Sequence, residues 1–420
     1  MLSRLAIGLD KKPELIAHLV KHSTDESGVR ETLPERAANI IRQAFVTCLN
    51  DRASGVRETL PEGKKVGIYK LANLCLKVLF QCRKTRNAEQ IFVNIYNQAP
   101  SLSLYPRSER VTYLYYLGRF LFANNHFFRS LSTLQEAYSQ CHLKCTKQRR
   151  LILIYLLASN IILGRLPSPR VYERPEATGL AEVFQPICRS IATGNLASFR
   201  KVMDFDSPNA PWLIRHRVLL QMRNRCEVLV WRSLARKTFL VAGAQGNANE
   251  KKATTFNLND MLLLVRAMEK RASIRNPTTH ANGKPGSRHT NWIFMTDNET
   301  GAIDRYVDPD LEGEKPESLL PDMLEIESML SSLVDQGFLN GFISHRQLRF
   351  AIVGAKKKGA LAAGFPNIWE VIRARSDDEV PGWKKEVTSS RVNDLSQRQQ
   401  RYGPGMVVNL TGARPAGSAP

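Results

Sequence analysis

Apolar positions recur at helical spacing over most of the chain and are interrupted at intervals by proline, glycine and asparagine. Between residues 63 and 240 this spacing predicts helices over 66–83, 86–98, 107–124, 127–142, 147–163, 179–193 and 195–203. The breaks fall at Pro100, Pro106, Asn124-Asn125, Gly164 to Pro169 and Gly194-Asn195. Helices joined by such short turns stack into an α-solenoid. The clearest hairpin covers 113–138. Leu117, Gly118 and Leu121 pack from its first helix, Asn124-Asn125 makes the turn, and Leu131, Leu134 and Ala137 face back from the second. Gly118 is expected to let the two helices approach closely.

On either side the pattern changes. Residues 1–62 hold helical stretches around 12–22 and 36–50. They also hold a nonapeptide, SGVRETLPE, that occurs at Ser27 to Glu35 and again at Ser54 to Glu62, the second copy reading as a linker. Residues 211–240 predict one long helix opened by Pro211, with Leu213, Leu220, Cys226, Leu229, Val230 and Leu234 in its apolar stripe. Residues 241–257 read as a linker and 256–271 as a helix with Asn257 or Asn259 at its N-cap. Residues 273–318 are a polar insertion in which Trp292, Ile293 and Phe294 make one short strand.

From 319 to 354 the helical period gives way to alternation. Leu324, Ile326, Met329, Leu330, Leu333 and Val334 make a helix that Gly337 closes. Two β-prone runs come next, Leu339 to Ser344 and Leu348 to Val353, around the turn His345-Arg346-Gln347. In the second run Leu348, Phe350 and Ile352 share one face, and Arg349 and Ala351 the other. A helix followed by a two-stranded hairpin ends a winged-helix module. The expected fold is therefore an all-α solenoid followed by a C-terminal winged helix. The boundaries are an N-terminal segment 1–62, a solenoid 63–240, a winged helix 241–375 carrying the insertion, and a disordered tail 376–420 rich in Pro, Gly, Ser, Gln and charge.

Charge changes the picture more than composition does. The chain of 420 residues has 60 Lys and Arg against 39 Asp and Glu, a net +21. Such an excess favours polyanions, through local potential and counterion release, or an acidic protein. Along 211–240 the bases Arg215, Arg217, Arg223, Arg225, Arg232, Arg236 and Lys237 face only Glu227. Lys356, Lys357 and Lys358 come directly after the hairpin. The candidate nucleic-acid contacts are Arg346, Arg349, Lys356, Lys357 and Lys358, with Arg232, Arg236 and Lys237 behind them. A rim of this kind contacts phosphates rather than base edges, so the expected binding is sequence-tolerant and salt-sensitive. The hairpin's apolar residues Phe342, Ile343, Leu348, Phe350 and Ile352 are the candidate partner contacts, on an edge open to another strand.

Signals for catalysis are thin. His18 and His22 stand four apart, but Leu19 occupies the place of a zinc protease's glutamate. Cys141, His142 and Cys145 lack a second pair at finger spacing, so no metal site is expected. No phosphate-cradling glycine loop and no G-x-S-x-G elbow occur, and no cofactor is expected. The seven cysteines are odd in number and mostly within apolar helical patterns, which predicts buried free thiols in a reducing compartment. The apolar run Leu151 to Leu163 is too short for a bilayer, which takes about 20 residues, and reads as a buried helix.

The hairpin of 113–138 resembles a tetratricopeptide unit without a strict repeat period around it. A solenoid feeding a long helix and then a winged helix is the layout of PCI-domain proteins. Two stretches, 115–168 and QGFLNGFISHRQLRFAIVG at 336–354, resemble one branch of that family. This branch holds the messenger-RNA-export subunit of a nuclear-pore-associated complex and the twelfth-subunit relatives of the signalosome. The resemblance covers roughly 65–375, and the insertion and the repeated nonapeptide depart from it. It implies a non-enzymatic subunit, nuclear with a cytoplasmic share allowed, that pairs with a larger PCI-domain scaffold subunit through winged helices. It further implies a small acidic disordered partner shared with the proteasome lid, and a basic surface for RNA or DNA. The alternative is a pure assembly subunit of a signalosome-like or lid-like particle.

Overall fold

The computed structural model describes residues 2–10, 12–16, 32–51, 56–57, 60–244, 253–273 and 321–385. The insertion from 274 on, with Trp292, Ile293 and Phe294, lies outside the described residues, as does most of the stretch 12–22, where Pro13–Ile16 forms a 3-10 turn.

The chain opens with α1 (Leu2–Asp10), which packs on α2 (Leu33–Leu49). A capping box starts α2: the Glu35 carboxylate accepts from the Thr32 backbone N–H at 2.8 Å, and Lys84 pairs with it at 2.9 Å. A two-stranded ribbon comes next, β1 (Val56–Arg57) against β2 (Leu60–Pro61). The Leu-Pro pair shared by the two copies thus takes two conformations. Leu33-Pro34 opens a helix, while the matching Leu60-Pro61 is a strand. The shared letters do not decide the conformation here.

The solenoid comprises α3 (Ile68–Gln81), α4 (Glu89–Gln98), α5 (Arg107–Ala123), α6 (Phe127–Gln140), α7 (Thr146–Ile162), the short α8 (Pro169–Tyr172), α9 (Leu180–Thr193) and α10 (Leu196–Val202). The α5–α6 hairpin is as expected. A Cβ on Gly118 would stand 2.6 Å from the Leu134 side chain, and the Ser130 hydroxyl donates to the Gly118 carbonyl at 2.8 Å. Only glycine lets these backbones come so near. Helix α7 is buried from Ile152 through Ser159, and α5 and α6 pack on it. Among the described residues, no helix is long and apolar enough to cross a membrane.

A buried polar node ties α6 to α7. Arg149 pairs with Glu176 at 3.0 Å, both nearly inaccessible, and also donates to the Cys141 carbonyl at 2.8 Å. The Tyr138 hydroxyl donates to the same carboxylate, and its ring lies 4.0 Å under the guanidinium. Burial alone would raise the Glu176 pKa. The Tyr138 hydroxyl, a backbone N–H and Arg149 outweigh it and hold the carboxyl below its ordinary range.

The expected single helix over 211–240 is two helices, α11 (Ala210–Arg215) and α12 (Leu219–Ala242). Arg217 sits at φ 56, in the left-handed region, and ends the first helix. Leu220, expected in the apolar stripe, is instead 54% exposed in the first turn of α12. The second helix packs on α7 and α9.

After α12 come β3 (Thr255–Asn257), α13 (Leu258–Ser273), α14 (Met323–Asp335), β4 (Gly341–Ser344) and β5 (Arg349–Ile352). The expected linker 241–257 therefore ends in a strand. The sheet order is β3-β5-β4, all antiparallel. With the end of α12 as its first helix, this is a complete winged helix rather than a helix and hairpin alone. Three short helices complete the described fold, α15 (Ala355–Lys358), α16 (Ala360–Gly364) and α17 (Ile368–Arg375).

The start of the expected disordered tail is ordered. Residues 376–385 run back over the solenoid: Asp377 pairs with Arg129 at 3.3 Å, Tyr96 donates to Glu379, and Tyr113 donates to the Gly382 carbonyl at 2.6 Å. Val380 is buried, and Gly382, at φ 95, lies close against Leu117 and Phe92, where an added side chain would be crowded and its backbone strained. Ahead of this strap, Trp369 of α17 stacks between Phe128, with centroids 5.6 Å apart, and the Arg165 guanidinium at 4.6 Å. The composition of 376–385 is polar, but one valine, one tryptophan and one glycine suffice to dock it. Residues 386–420 lie outside the described residues.

Candidate nucleic-acid and partner interface

The wing is built from the inside out. Phe350 is fully buried on β5 and stacks on Phe256 of β3, with centroids 5.2 Å apart. Ile352 is 6% exposed. These two residues, expected to touch a partner, belong to the chain's own core because β3 covers the edge of β5 from which they were to dock. Leu348 is half-buried in the turn at φ 49 rather than in the strand, and its carbonyl accepts from the Leu258 N–H at 2.8 Å. Ile343 is half-buried and Phe342 is 59% exposed. β4 has a paired strand on one side only, so the open edge belongs to the first β-prone run and Phe342 stands on it. Leu324 on α14 is also exposed, at 73%.

The basic candidates divide into two groups. Arg346, in the turn, and Arg349, on β5, are exposed, as are Lys356, Lys357 and Lys358 on α15. None of the five makes an ion pair or side-chain hydrogen bond among the described residues. Gly354 and Gly359 bracket the lysine turn, which leaves the strand direction and presents all three ammonium groups to solvent. Arg236 is exposed and Lys237 half-buried on the last turns of α12.

Arg232 does something else. Its guanidinium donates to the carbonyls of Phe338 at 3.3 Å, Phe365 at 3.2 Å and Pro366 at 2.6 Å. Burial, reinforced by Arg236, lowers its pKa to about 10, so it stays charged at neutral pH. It fastens α12 to the two turns that flank the wing, and a phosphate could not reach those donors without breaking them. Reading it as a nucleic-acid contact is corrected on that ground. Periodicity could not show this, because carbonyl partners over 100 residues away leave no mark near Arg232.

The helix in the recognition position carries the opposite sign. Asp322, Glu325, Glu327 and Asp335 lie on or beside α14, and no Lys or Arg occurs between Pro321 and His345. His345, in the wing turn, meets Glu327 at 2.8 Å and holds the turn to that helix. Such a helix repels a phosphate-lined groove. Among the described residues, no group of three His, Cys, Asp or Glu is placed to hold a metal ion. Cys75, Cys141 and Cys226 are buried free thiols, Cys48, Cys82 and Cys188 are half-buried, and Cys145 is exposed.

No family model matches the chain. It is similar to a PCI domain-containing protein of Schizosaccharomyces pombe, 25% identical over 345 residues, which is 82% of this chain and 64% of that protein. A CSN12 homolog from the same yeast is 30% identical over 225 residues, 53% of this chain and 50% of the relative. PCI domain-containing protein 2 of Xenopus laevis is 26% identical over 235 residues, covering 56% and 53%. The chain thus spans between half and just under two thirds of the length of these relatives. The solenoid, the complete winged helix and these relatives agree in supporting a PCI-domain protein of the CSN12-like branch.

Proposed function

We propose that this protein is a non-enzymatic scaffold subunit that holds single-stranded RNA or DNA on the rim of its wing within a nuclear complex of messenger-RNA biogenesis and export. The observation that carries the reading is the set of five exposed, unpaired bases at Arg346, Arg349, Lys356, Lys357 and Lys358, on one turn, one strand and one short helix of the winged helix. Because α14 is acidic, the nucleic acid lies along the rim and not beneath that helix. A larger PCI subunit pairs with the open edge of β4, where Phe342 is the apolar anchor, and a small acidic protein takes part of the remaining positive charge.

The test is a Lys356→Glu/Lys357→Glu/Lys358→Glu protein, checked for fold by circular dichroism and titrated with unrelated RNAs at several salt concentrations. Affinity falls about equally for all sequences, and the logarithmic salt slope flattens by roughly 0.7 to 0.9 for each phosphate no longer neutralised. Unchanged affinity at every salt concentration would refute nucleic-acid binding by the wing. A second reading, assembly without nucleic acid, draws on the acidic α14 beside the exposed Leu324 and Phe342. Salt-dependent RNA binding by the wild-type chain separates the two, and under the first reading Phe342→Asp removes partner pairing while leaving that binding intact.

A further inference from the structure

Away from the wing, the solenoid carries two neighbouring groups of aromatic rings, joined by a single hydrogen bond. Phe80 of α3 meets Tyr116 of α5 at 5.2 Å between centroids, Tyr116 meets Tyr115 at 5.3 Å, and Tyr115 meets Tyr155 of α7 at 6.3 Å. The Tyr155 hydroxyl donates to the His216 carbonyl at 2.9 Å, and the His216 ring stacks on Trp212 of α11 at 4.2 Å. Tyr155 is buried, and Phe80, Tyr115, Tyr116, Trp212 and His216 are half-buried.

Arg119 sits in the middle of the first group. Its guanidinium lies 4.9 Å over Phe80, 5.2 Å over Tyr155 and 5.6 Å over Tyr115, and its hydrogen bond is to the Tyr115 hydroxyl at 3.3 Å. It has no carboxylate partner among the described residues. A largely buried cation ordinarily has an anion beside it. Here the rings supply only their negative faces, and the counter-charge is missing. The surroundings add more positive charge instead. Arg215 and Arg217 are exposed at the α11–α12 break, and Arg217 is close enough to act on Tyr155 along with Arg119. Burial lowers the pKa of His216, and Arg215, Arg119 and Arg150 lower it further, so the imidazole adds an aromatic surface without a competing charge. Among the described residues, Arg150 donates to the main-chain carbonyls of Glu176 and Thr178.

Rings in series beside uncompensated guanidinium groups match one ligand chemistry: flat aromatic units joined by anions. We propose that this face of α3, α5, α7 and α11 is a second binding site, for a short stretch of single-stranded nucleic acid. Its bases stack on Phe80, Tyr116 and Trp212, and its phosphates pair with Arg119, Arg215 and Arg217. The inference rests on the nucleic-acid reading above but places a contact on the solenoid, independent of the wing. The rings are indifferent to base identity, so this site too is sequence-tolerant.

The test uses the full chain and a fluorescein-labelled oligouridylate of roughly 12 nucleotides, alongside an abasic oligomer of equal length and a 4-thiouridine version for photo-crosslinking. Arg215→Gln/Arg217→Asn is a surface change that keeps a residue tolerant of positive φ at 217; Arg119→Met fills the same space without charge. The expected results are crosslinks to peptides containing Tyr115, Tyr116 or Trp212, and affinity lowered about tenfold in both variants. The salt slope should flatten by about 0.7 for each phosphate left without its arginine, and the preference for intact over abasic oligomer should shrink. The wing triple-glutamate protein should keep these crosslinks. Crosslinks confined to the wing, with affinity unchanged in both solenoid variants, would overturn the inference and leave the wing reading standing. If a tyrosine-containing oligoaspartate bound the wild-type protein and lost affinity in both variants while RNA did not, the nucleic-acid inference would be overturned and the site would belong to an acidic protein segment. No oligonucleotide binding by the wild-type chain would overturn both readings.

Discussion

Replacing Arg232 separates a structural fastener from a phosphate contact. Its guanidinium makes three charge-assisted hydrogen bonds, to Phe338, Phe365 and Pro366. Each such bond contributes about 1.5–3 kcal/mol, but bonds to one group do not add, and part of Arg232 meets solvent. Truncation to Ala also leaves carbonyls at both turns without a donor. A combined loss of about 2–3 kcal/mol is expected for the docking of the wing onto α12. That loss appears as local opening, which amide hydrogen exchange resolves. At about 1.4 kcal/mol per tenfold, exchange at β4 and β5 rises roughly thirty- to hundred-fold in Arg232→Ala, with α5 to α7 unchanged. Arg232→Lys keeps the charge but not the fork, so it recovers only a minor part of the protection. Because the wild-type group is charged throughout the neutral range, the effect is flat across neutral pH. RNA affinity at fixed salt, measured under conditions where the wing stays folded, is the same in Arg232→Lys as in the wild type. If exchange at β4 and β5 stayed within about a factor of two in Arg232→Ala, or if Arg232→Lys rescued it fully, the fastener account would be wrong.

Other outcomes rest on the same geometry. Gly118→Ala forces a methyl into Leu134 at 2.6 Å and destabilises the α5–α6 hairpin by about 1–3 kcal/mol, read as a lower unfolding midpoint in urea. Arg149→Leu leaves Glu176 buried without its cation and costs about 3–5 kcal/mol, whereas Arg149→Leu/Glu176→Leu regains most of it. The Glu176 pKa is depressed in the folded chain, so its contribution is complete above the ordinary value of 4.5 and is lost as pH falls through the lower folded-state value. Thermal melts of Glu176→Gln and the wild type therefore converge as the pH falls from 4.5 through that lower folded-state value, and curves that stay parallel through the whole of that fall would contradict the assignment.

Much of this was legible in the chain because it is carried by local period. Gly118 opposite Leu134, the turn at Asn124-Asn125 and the buried Ile152 to Ser159 all announce themselves within one or two helical turns. The alternation around Phe350 named a strand, but not which neighbour would cover it. Thr255 to Asn257 pairs with β5 from nearly 100 residues away, and three residues are too few to show a period. Still longer separations hid Arg232's carbonyls. Arg217 looked like one more base in a helix; only its positive φ reveals the break, and neither proline nor glycine marks it. Identical letters at Leu33-Pro34 and Leu60-Pro61 show the limit most directly, since one pair starts a helix and the other a strand.

The strap has a consequence for how the protein is made. Tyr113 and Gly382 are 269 residues apart, yet they share a buried hydrogen bond. At about 5–20 residues per second on the ribosome, Gly382 is joined to the chain on the order of 10–50 s after Tyr113. During that interval the groove between Phe92, Tyr113 and Leu117 has no cover from its own sequence, although the helices around it can already fold. The solenoid is therefore born with an apolar slot that only the far end of the same polypeptide fills, and the nascent chain offers chaperones a defined place to hold until it does.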